Sequence, residues 1–255
     1  MISYALITKD KLSYSFECIK RVSELPLHEH EFLVCCPPSA IQDSLDQHII
    51  ETFNLRIIED THQAGSPTAF NHVIKFAEGK YISYLLNDIV YPRNFLDVIP
   101  YLQNDFKEKK FKLVNIMWDA GPGCTIYNHS EGLNGKMWPR ENSTTVAYDN
   151  TPYPVIPLPF VELETIHKYL DGCIFHPSFI NHWPDHWLGF YLSRHETYKP
   201  YNWICPHVQF EQSGYQRQSN FSTDHIDGQL LRELTDKYAQ DNSINYTVKL
   251  GYALD

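Results

Sequence analysis

Over the first hundred residues, short apolar runs alternate with stretches whose apolar residues recur at helical spacing. The apolar runs predict strands over 2–7, 31–36 and 55–58, and a fourth strand that starts at Tyr81 and stops at Asn87-Asp88. The stretches between them predict helices over 13–25, 40–53, 68–77 and 94–102, with Gly79 at the C′ position of the third. Strands that alternate with helices are typical of βαβ units, so we expect an α/β fold with a mostly parallel central sheet flanked by helices.

Beyond residue 111 the pattern changes to Gly, Pro, Asn and aromatic residues, with short strands such as 111–117. Residues 120–159 are rich in turn formers and show little periodicity, which predicts irregular structure over a binding face. Helices are expected over 162–170, 187–194 and 224–238. We therefore expect one domain over 1–255 with an irregular C-terminal half.

Composition and charge narrow the class of protein. The chain has 255 residues, of which 43% are apolar, and this places it among globular proteins. The net charge of -10 argues against nucleic acid as a partner, because phosphate contacts need clustered Lys and Arg. An anionic ligand would need its charge neutralised locally, for example by a bound cation.

The cysteines and the N-terminus bear on the cellular compartment. The six cysteines show no CxxC spacing, and several lie in apolar runs, so buried free thiols are expected. The N-terminus lacks a basic region followed by a cleavage site, and no apolar run approaches the roughly 18 residues of a membrane span. We expect a soluble, cytoplasmic protein without an integral membrane segment.

Three predicted strands end on polar residues. They end at Thr8-Lys9-Asp10, Glu59-Asp60 and Asn87-Asp88. In open α/β sheets, ligands bind beyond the carboxyl ends of the strands, so these positions are candidates for a binding site. Because Asn and Asp are also common turn residues, Asn87-Asp88 taken alone fits an ordinary strand-to-turn transition as well.

The stretch 65–92 carries a longer pattern. Its parts are Ala69-Phe70-Asn71, Ala77-Glu78-Gly79-Lys80-Tyr81-Ile82, Leu86-Asn87-Asp88 and Pro92. This pattern resembles the nucleotide-sugar-binding half of the family 2 glycosyltransferases, which belong to the nucleotide-diphospho-sugar transferase superfamily and have the GT-A fold. The resemblance implies a nucleotide-sugar-binding half over 1–110 and an acceptor-side half over 111–255.

The resemblance also implies which residues bind the donor. The residues expected to bind the nucleotide sugar are Thr8, Asp60, Asn71, Asn87, Asp88 and Gly172. Thr8 and Asp60 would bind the nucleobase or ribose. Asp88, with His207, would hold a divalent cation, Mn²⁺ or Mg²⁺, that neutralises the leaving diphosphate. Leu86 stands where the family motif has its first acid, so a two-carboxylate clamp is absent.

The stretch 180–196 resembles the family helix whose start carries the general base. Asp185 is the matching acid, and it would take the proton of an acceptor hydroxyl as that hydroxyl attacks the anomeric carbon. Pro184 replaces the first acid of the pair. Asp185 also fits a helix N-cap, and His182 with His186 fits a zinc pair if the segment is helical.

Three further features fit both an ordinary structural role and a functional role. Asp171-Gly172 resembles the turn beneath the sugar in this family, and it also fits an ordinary Asp-Gly turn. His207 fits a cation ligand or a histidine with a backbone partner. The 28–31 segment, which reads His-Glu-His-Glu, lies opposite the strand carboxyl ends, so we expect an exposed loop and not a metal site.

Together these features predict a glycosyltransferase of the hexosyltransferase type. It would move a sugar, with inversion and with the help of a divalent metal, from a nucleotide-diphosphate donor to a hydroxyl of a glycan or other acceptor. Leu86 and Pro184 stand where the family pattern has acidic residues. A second class of protein therefore also fits, a non-catalytic nucleotide- or glycan-binding protein of the same fold. A nucleotidyltransferase is disfavoured because no Gly-rich basic loop follows the first strand.

Overall fold

The computed structural model describes residues 1–25, 29–60, 65–85, 96, 98–104, 112–118, 139–141, 156, 158–180, 184–193, 201–205 and 224–241. The strands in these ranges are β1 (Ile2–Ile7), β2 (His30–Cys36), β3 (Leu55–Glu59), β4 (Tyr81–Leu85), β5 (Leu113–Trp118), β6 (Pro139–Glu141), β7 (Pro159–Glu162) and β8 (Tyr201–Cys205). The helices are α1 (Phe16–Ser23), α2 (Ser44–Thr52), α3 (Ser66–Ile74), α4 (Val98–Asn104), α5 (Leu163–Tyr169), α6 (Pro184–Ser193) and α7 (Asp224–Asp241).

The strands form one sheet in the order β3-β2-β1-β4-β7-β5-β8-β6. From β3 to β4 all neighbours are parallel, whereas β7 runs antiparallel to both β4 and β5. β5 and β8 are parallel, and β6 closes the edge antiparallel to β8. The predicted α/β fold with a mostly parallel sheet is therefore confirmed.

The central strands are buried along nearly their whole length. Every residue of β4 is buried, and so are the first five residues of β1 and the last five of β2. Continuous apolar runs of this kind are expected when helices cover both faces of a parallel sheet. The core extends across the sheet, because Phe160 on β7 stacks on Tyr81 of β4 with ring centroids 5.8 Å apart.

Several helix boundaries differ from their predictions. The predicted first helix divides into a 3₁₀ turn over Leu12–Ser15 and the helix α1. The predicted start of α2 at Ala40 is wrong, because Asp43 is the N-cap: its side chain accepts the N–H groups of Leu45 and Asp46 and forms a capping box with Asp46. The helix expected over 187–194 begins earlier, at Pro184, a residue whose fixed φ suits the first helical turn.

The predicted role of Gly79 is also wrong, since α3 ends at Ile74. Gly79 instead lies directly against β1, where its N–H donates to Ser3 Oγ at 2.9 Å. A Cβ on Gly79 would stand 2.6 Å from Ser3 Oγ and 2.7 Å from the Ser3 nitrogen. Close packing, and not a helix cap, therefore requires glycine here.

Glu31 lies at the amino-terminal edge of the sheet and belongs to β2, not to an exposed loop. Its carboxylate accepts hydrogen bonds from Ser3 Oγ and from the Glu78 N–H, and it lies 3.8 Å from the Arg56 guanidinium. These contacts tie β1, β2 and the entry to β4 together, so Glu31 has a structural use.

Among the described parts of the chain, no helix combines the length and the apolar character needed to cross a bilayer.

Candidate functional site

Two predicted donor-binding residues flank the carboxyl end of β2. Thr8 directly follows β1, and its N–H donates to the Cys35 carbonyl at 3.1 Å. Asp60 directly follows β3 on the other side of β2, and its N–H donates to the Cys36 carbonyl at 2.9 Å. The Thr8 hydroxyl accepts the Asp10 N–H at 3.1 Å, which gives the chain a tight turn as it leaves the sheet. Thr8 and Asp60 thus lie on one edge of the sheet.

The two thiols at the end of β2 have raised pKa values. Burial raises the pKa of Cys35 to about 12 and that of Cys36 to about 11, with the negative charge of Asp60 as a second cause. Both thiols therefore stay protonated at neutral pH, and neither is suited to act as a nucleophile. The prediction of buried free thiols is confirmed for Cys18, Cys35 and Cys36.

Side chains at the start of α2 hold the loops that follow β1 and β2 in place. Asp46, which is fully buried, accepts the N–H groups of Ser13 at 2.9 Å and Gln42 at 2.8 Å. The N-cap Asp43 pairs with Lys11, which comes just after Thr8. This edge is therefore ordered by the protein itself, which lowers the entropy that a ligand would have to remove on binding.

Asn71 is buried on α3 and is tied to a residue in the second half of the chain. Its Nδ2 donates to the Phe175 carbonyl at 2.7 Å, and its Oδ1 accepts the Phe175 N–H at 3.2 Å. The whole amide thus pairs with one backbone residue 104 positions away. The predicted contact of Asn71 with the donor stays a prediction, and the geometry adds a structural role that the sequence pattern did not indicate.

Asp171 and Gly172 form a left-handed turn after α5, with φ of 51° and 76°. The Gly172 N–H donates to the Ile166 carbonyl at 3.1 Å and so closes the end of the helix. No described atom lies within 4 Å of where a Gly172 Cβ would stand, so the described residues leave room beside this α-carbon. Burial raises the pKa of Tyr191 on α6, with Tyr238 and the charge of Asp171 as further causes.

Asp185 is the second residue of α6 and is half-buried. Its Oδ1 accepts the His186 N–H at 3.0 Å, and its carbonyl accepts the Ile156 N–H at 3.2 Å. A carboxylate in the first turn interacts favourably with the positive end of the helix dipole. The residue lies inside the first turn and not at the N-cap, and its role as base stays a prediction.

Asn87, Asp88 and His207 lie outside the described residues, as does His182 of the zinc alternative. Within the described ranges, no group of three or more His, Cys, Asp or Glu side chains is arranged to hold a metal ion. The expected cation ligands Asp88 and His207 therefore stay predictions. The described site consists of the Thr8–Asp60 edge, the Asn71–Phe175 tie, the Gly172 turn and Asp185.

Comparisons with known proteins bear on the fold. No protein-family model matches the chain, and no curated protein gives a significant match. TarS of S. aureus in complex with UDP superimposes with a TM-score of 0.53 over 98% of this chain and 76% of that chain, at 14% identity. TarS in complex with UDP-GlcNAc gives a TM-score of 0.53 over 94% and 72%, at 13% identity.

A third similar structure is the mannosyltransferase PcManGT from Pyrobaculum calidifontis in complex with GDP-Man and Mn²⁺. It gives a TM-score of 0.57 over 97% of this chain and 65% of that chain, at 13% identity. These neighbours are GT-A glycosyltransferases. The chain has the GT-A fold, which confirms the fold that the sequence resemblance implied.

Proposed function

We propose that this protein is a glycosyltransferase of the hexosyltransferase type that moves a sugar, with inversion, from a nucleotide-diphosphate donor to a hydroxyl acceptor such as a glycan. The observation that carries the proposal is the GT-A fold over nearly the whole chain, shared with proteins whose structures contain UDP, UDP-GlcNAc or GDP-Man. Because fold alone does not specify chemistry, the residues of the site carry the rest of the argument.

The donor nucleotide is assigned to the edge formed by Thr8 and Asp60. Parallel sheets bind ligands beyond their carboxyl ends, and these two residues stand there on either side of β2. The half-buried Asp60 carboxylate is suited to accept hydrogen bonds from ribose hydroxyls or from a base N–H. The diphosphate and sugar would then extend towards Asp88 and the Gly172 turn.

Asp185 is assigned the role of general base. Its carboxylate would take the proton of the acceptor hydroxyl while the hydroxyl oxygen attacks the anomeric carbon on the face opposite the diphosphate. The bond from the anomeric carbon to the diphosphate oxygen breaks in the same step, which inverts the configuration. Asp88 and His207 would hold the divalent cation, which supplies charge neutralisation to the departing diphosphate.

The test uses the purified chain with UDP-, GDP- and dTDP-sugars in the presence of Mn²⁺. Asp185→Asn is expected to lower the transfer rate at least about 100-fold, the usual contribution of a general base, and to leave nucleotide affinity unchanged. Glu164→Gln is the matched control, because it removes a carboxylate from the exposed surface of α5 and should change neither quantity. Undiminished transfer by Asp185→Asn would remove Asp185 as the base.

The second candidate function is a non-catalytic nucleotide- or glycan-binding protein of the same fold. Leu86 and Pro184, which stand where the family pattern has acids, favour it. Under this alternative a nucleotide raises the melting temperature while no donor is hydrolysed or transferred. If no nucleotide stabilises the protein with or without Mn²⁺, the result counts heavily against both functions, and glycan binding alone is then tested by adding glycans.

A further inference from the structure

A carboxylate is buried where α7 meets the segment that ends at Ile180. Asp227 is fully buried, and its Oδ1 accepts the Ile180 N–H at 2.9 Å. Burying a carboxyl group is unfavourable unless hydrogen bonds replace its water. The hydrogen bond from the Ile180 N–H is one such replacement, and it ties α7 to a residue outside that helix.

The other side of Ile180 lies against the start of α3. Gly65, the N-cap residue of α3, has a φ of 104°, and a Cβ built on it would stand 1.5 Å from the Ile180 carbonyl oxygen. The backbone of Ile180 is thus enclosed from two directions. Its N–H is bound by α7, and its carbonyl is pressed against the nucleotide-sugar-binding half.

The same segment is held again five residues earlier, where Asn71 of α3 binds both backbone groups of Phe175. Residues 175–180 therefore bridge α3 and α7 with both ends fixed. The helix α6 begins only four residues beyond Ile180, at Pro184, and carries Asp185 in its first turn. α6 also packs on α7, since the ring centroids of Phe190 and Trp187 lie 5.6 Å and 6.3 Å from that of Tyr238, so α7 supports both the 175–180 segment and the helix that carries Asp185.

We propose that Asp227 is a positioning residue, which holds Ile180 against Gly65 and thereby sets the position of α6 and Asp185 relative to the nucleotide-sugar-binding half. The consequence for sugar transfer rests on the function proposed above. The consequence for the order of residues 175–192 does not rest on that function, so hydrogen exchange tests the positioning role separately from sugar transfer.

The test compares Asp227→Ala with Asp227→Asn in the full chain by hydrogen–deuterium exchange. In Asp227→Ala we expect peptides over 175–192 to exchange at least about tenfold faster, because a local tie to α7 is lost, with peptides over 30–60 unchanged. Asp227→Asn keeps an oxygen that can accept the Ile180 N–H, so it should exchange like the wild type.

Activity gives the second measurement. For whichever donor the wild type uses, Asp227→Ala should lower kcat about tenfold or more, because small displacements of a catalytic group are costly, while the Kd for UDP or GDP changes less than about twofold. Asp227→Asn should restore kcat. A general loss of folding would change both quantities together and would not be rescued by Asn.

Unchanged exchange over 175–192 in Asp227→Ala would overturn the proposal, and so would faster exchange combined with an unchanged kcat. If the wild type transfers no sugar, the proposed function fails, and the exchange measurement alone decides whether Asp227 holds the segment. Should Asp227→Ala fail to fold, Asp227→Ser is measured in its place, because the shorter serine hydroxyl leaves the Ile180 N–H without its acceptor.

Discussion

In the part of the sheet from β1 to β4, the contacts that shape the site edge join residues close along the chain, whereas the region from β7 to α7 depends on distant partners. Thr8 and Asp60 bond to the end of β2, and Ser13 bonds to Asp46 only 33 positions away. Phe175, in contrast, is held by a residue 104 positions earlier, and Ile180 by one on the last described helix.

The two regions obtain their shape from different kinds of contact. Successive parallel strands and short covering helices bury one another, so the β1–β4 part follows from the local apolar pattern. The 171–180 segment has no strand or helix, only two short turns, and polar contacts with α3 and α7 hold it in position. Substitutions at these contacts should therefore destabilise the protein more than substitutions of polar contacts within the first half.

The largest expected effect is that of Gly65→Ala. The added methyl group would meet the Ile180 carbonyl at 1.5 Å, and the backbone conformation with φ of 104° is one that only glycine adopts readily. Overpacking and backbone strain together should lower the free energy of unfolding by about 3 kcal/mol, measured by urea denaturation.

Gly172→Ala is the matched control for Gly65→Ala. It also has a positive φ, of 76°, but no described atom lies within 4 Å of the new methyl group. It should cost about 1 kcal/mol from backbone strain alone. Equal losses for the two variants would show that the contact between Gly65 and Ile180 contributes nothing.

The next effect is that of Asn71→Ala, which leaves the buried N–H and carbonyl of Phe175 without their side-chain partner. The expected loss in the free energy of unfolding is about 2 kcal/mol, since each unsatisfied buried group is costly. Lys75→Ala, an exposed change at the end of the same helix, should stay within about 0.5 kcal/mol and so controls for helix propensity. If Asn71→Ala lowers the free energy of unfolding no more than Lys75→Ala does, the hydrogen bonds between Asn71 and Phe175 do not stabilise the protein.

The smallest effect is expected for Arg56→Gln in the first half. Its guanidinium lies 3.8 Å from the less exposed Glu31. It also lies 3.0 Å from Glu78, and in this closer pair both side chains are exposed. Such a pair contributes less than about 1 kcal/mol, and the contribution should decrease further at high salt. If this variant is as unstable as Asn71→Ala, the proposed contrast between the two regions is wrong.

Much of the fold could be predicted from the sequence because its signals are local. The apolar runs indicated β1 to β4 within about a residue, and helical spacing indicated α5 and α7. The boundaries that were wrong depend on specific geometry: Pro67 lies in the first turn of α3, and Gly79 lies against Ser3 across the sheet. The ends of helices are decided by individual caps and contacts, which periodicity does not record.

The site was predictable to a lesser extent. That Thr8 and Asp60 share one edge follows from the rule on the carboxyl ends of parallel strands, and Asp185 was placed near a helix start by the family pattern. Gly65 and Asp227 did not appear among the candidates. Each reads in sequence as an ordinary loop glycine or surface acid, because its partner lies far along the chain.

The sequence by itself determined the order of strands and helices in the first half, since short-range apolar spacing and turn residues are enough to specify it, and the GT-A fold was implied by the family resemblance of the 65–92 stretch. Only the tertiary structure decided that Asn71 pairs with Phe175, that Gly65 must lack a side chain, and that Asp227 is buried against Ile180. These contacts exist because the folded sheet brings α3, the 171–180 segment and α7 together, and no local pattern of residues encodes that meeting.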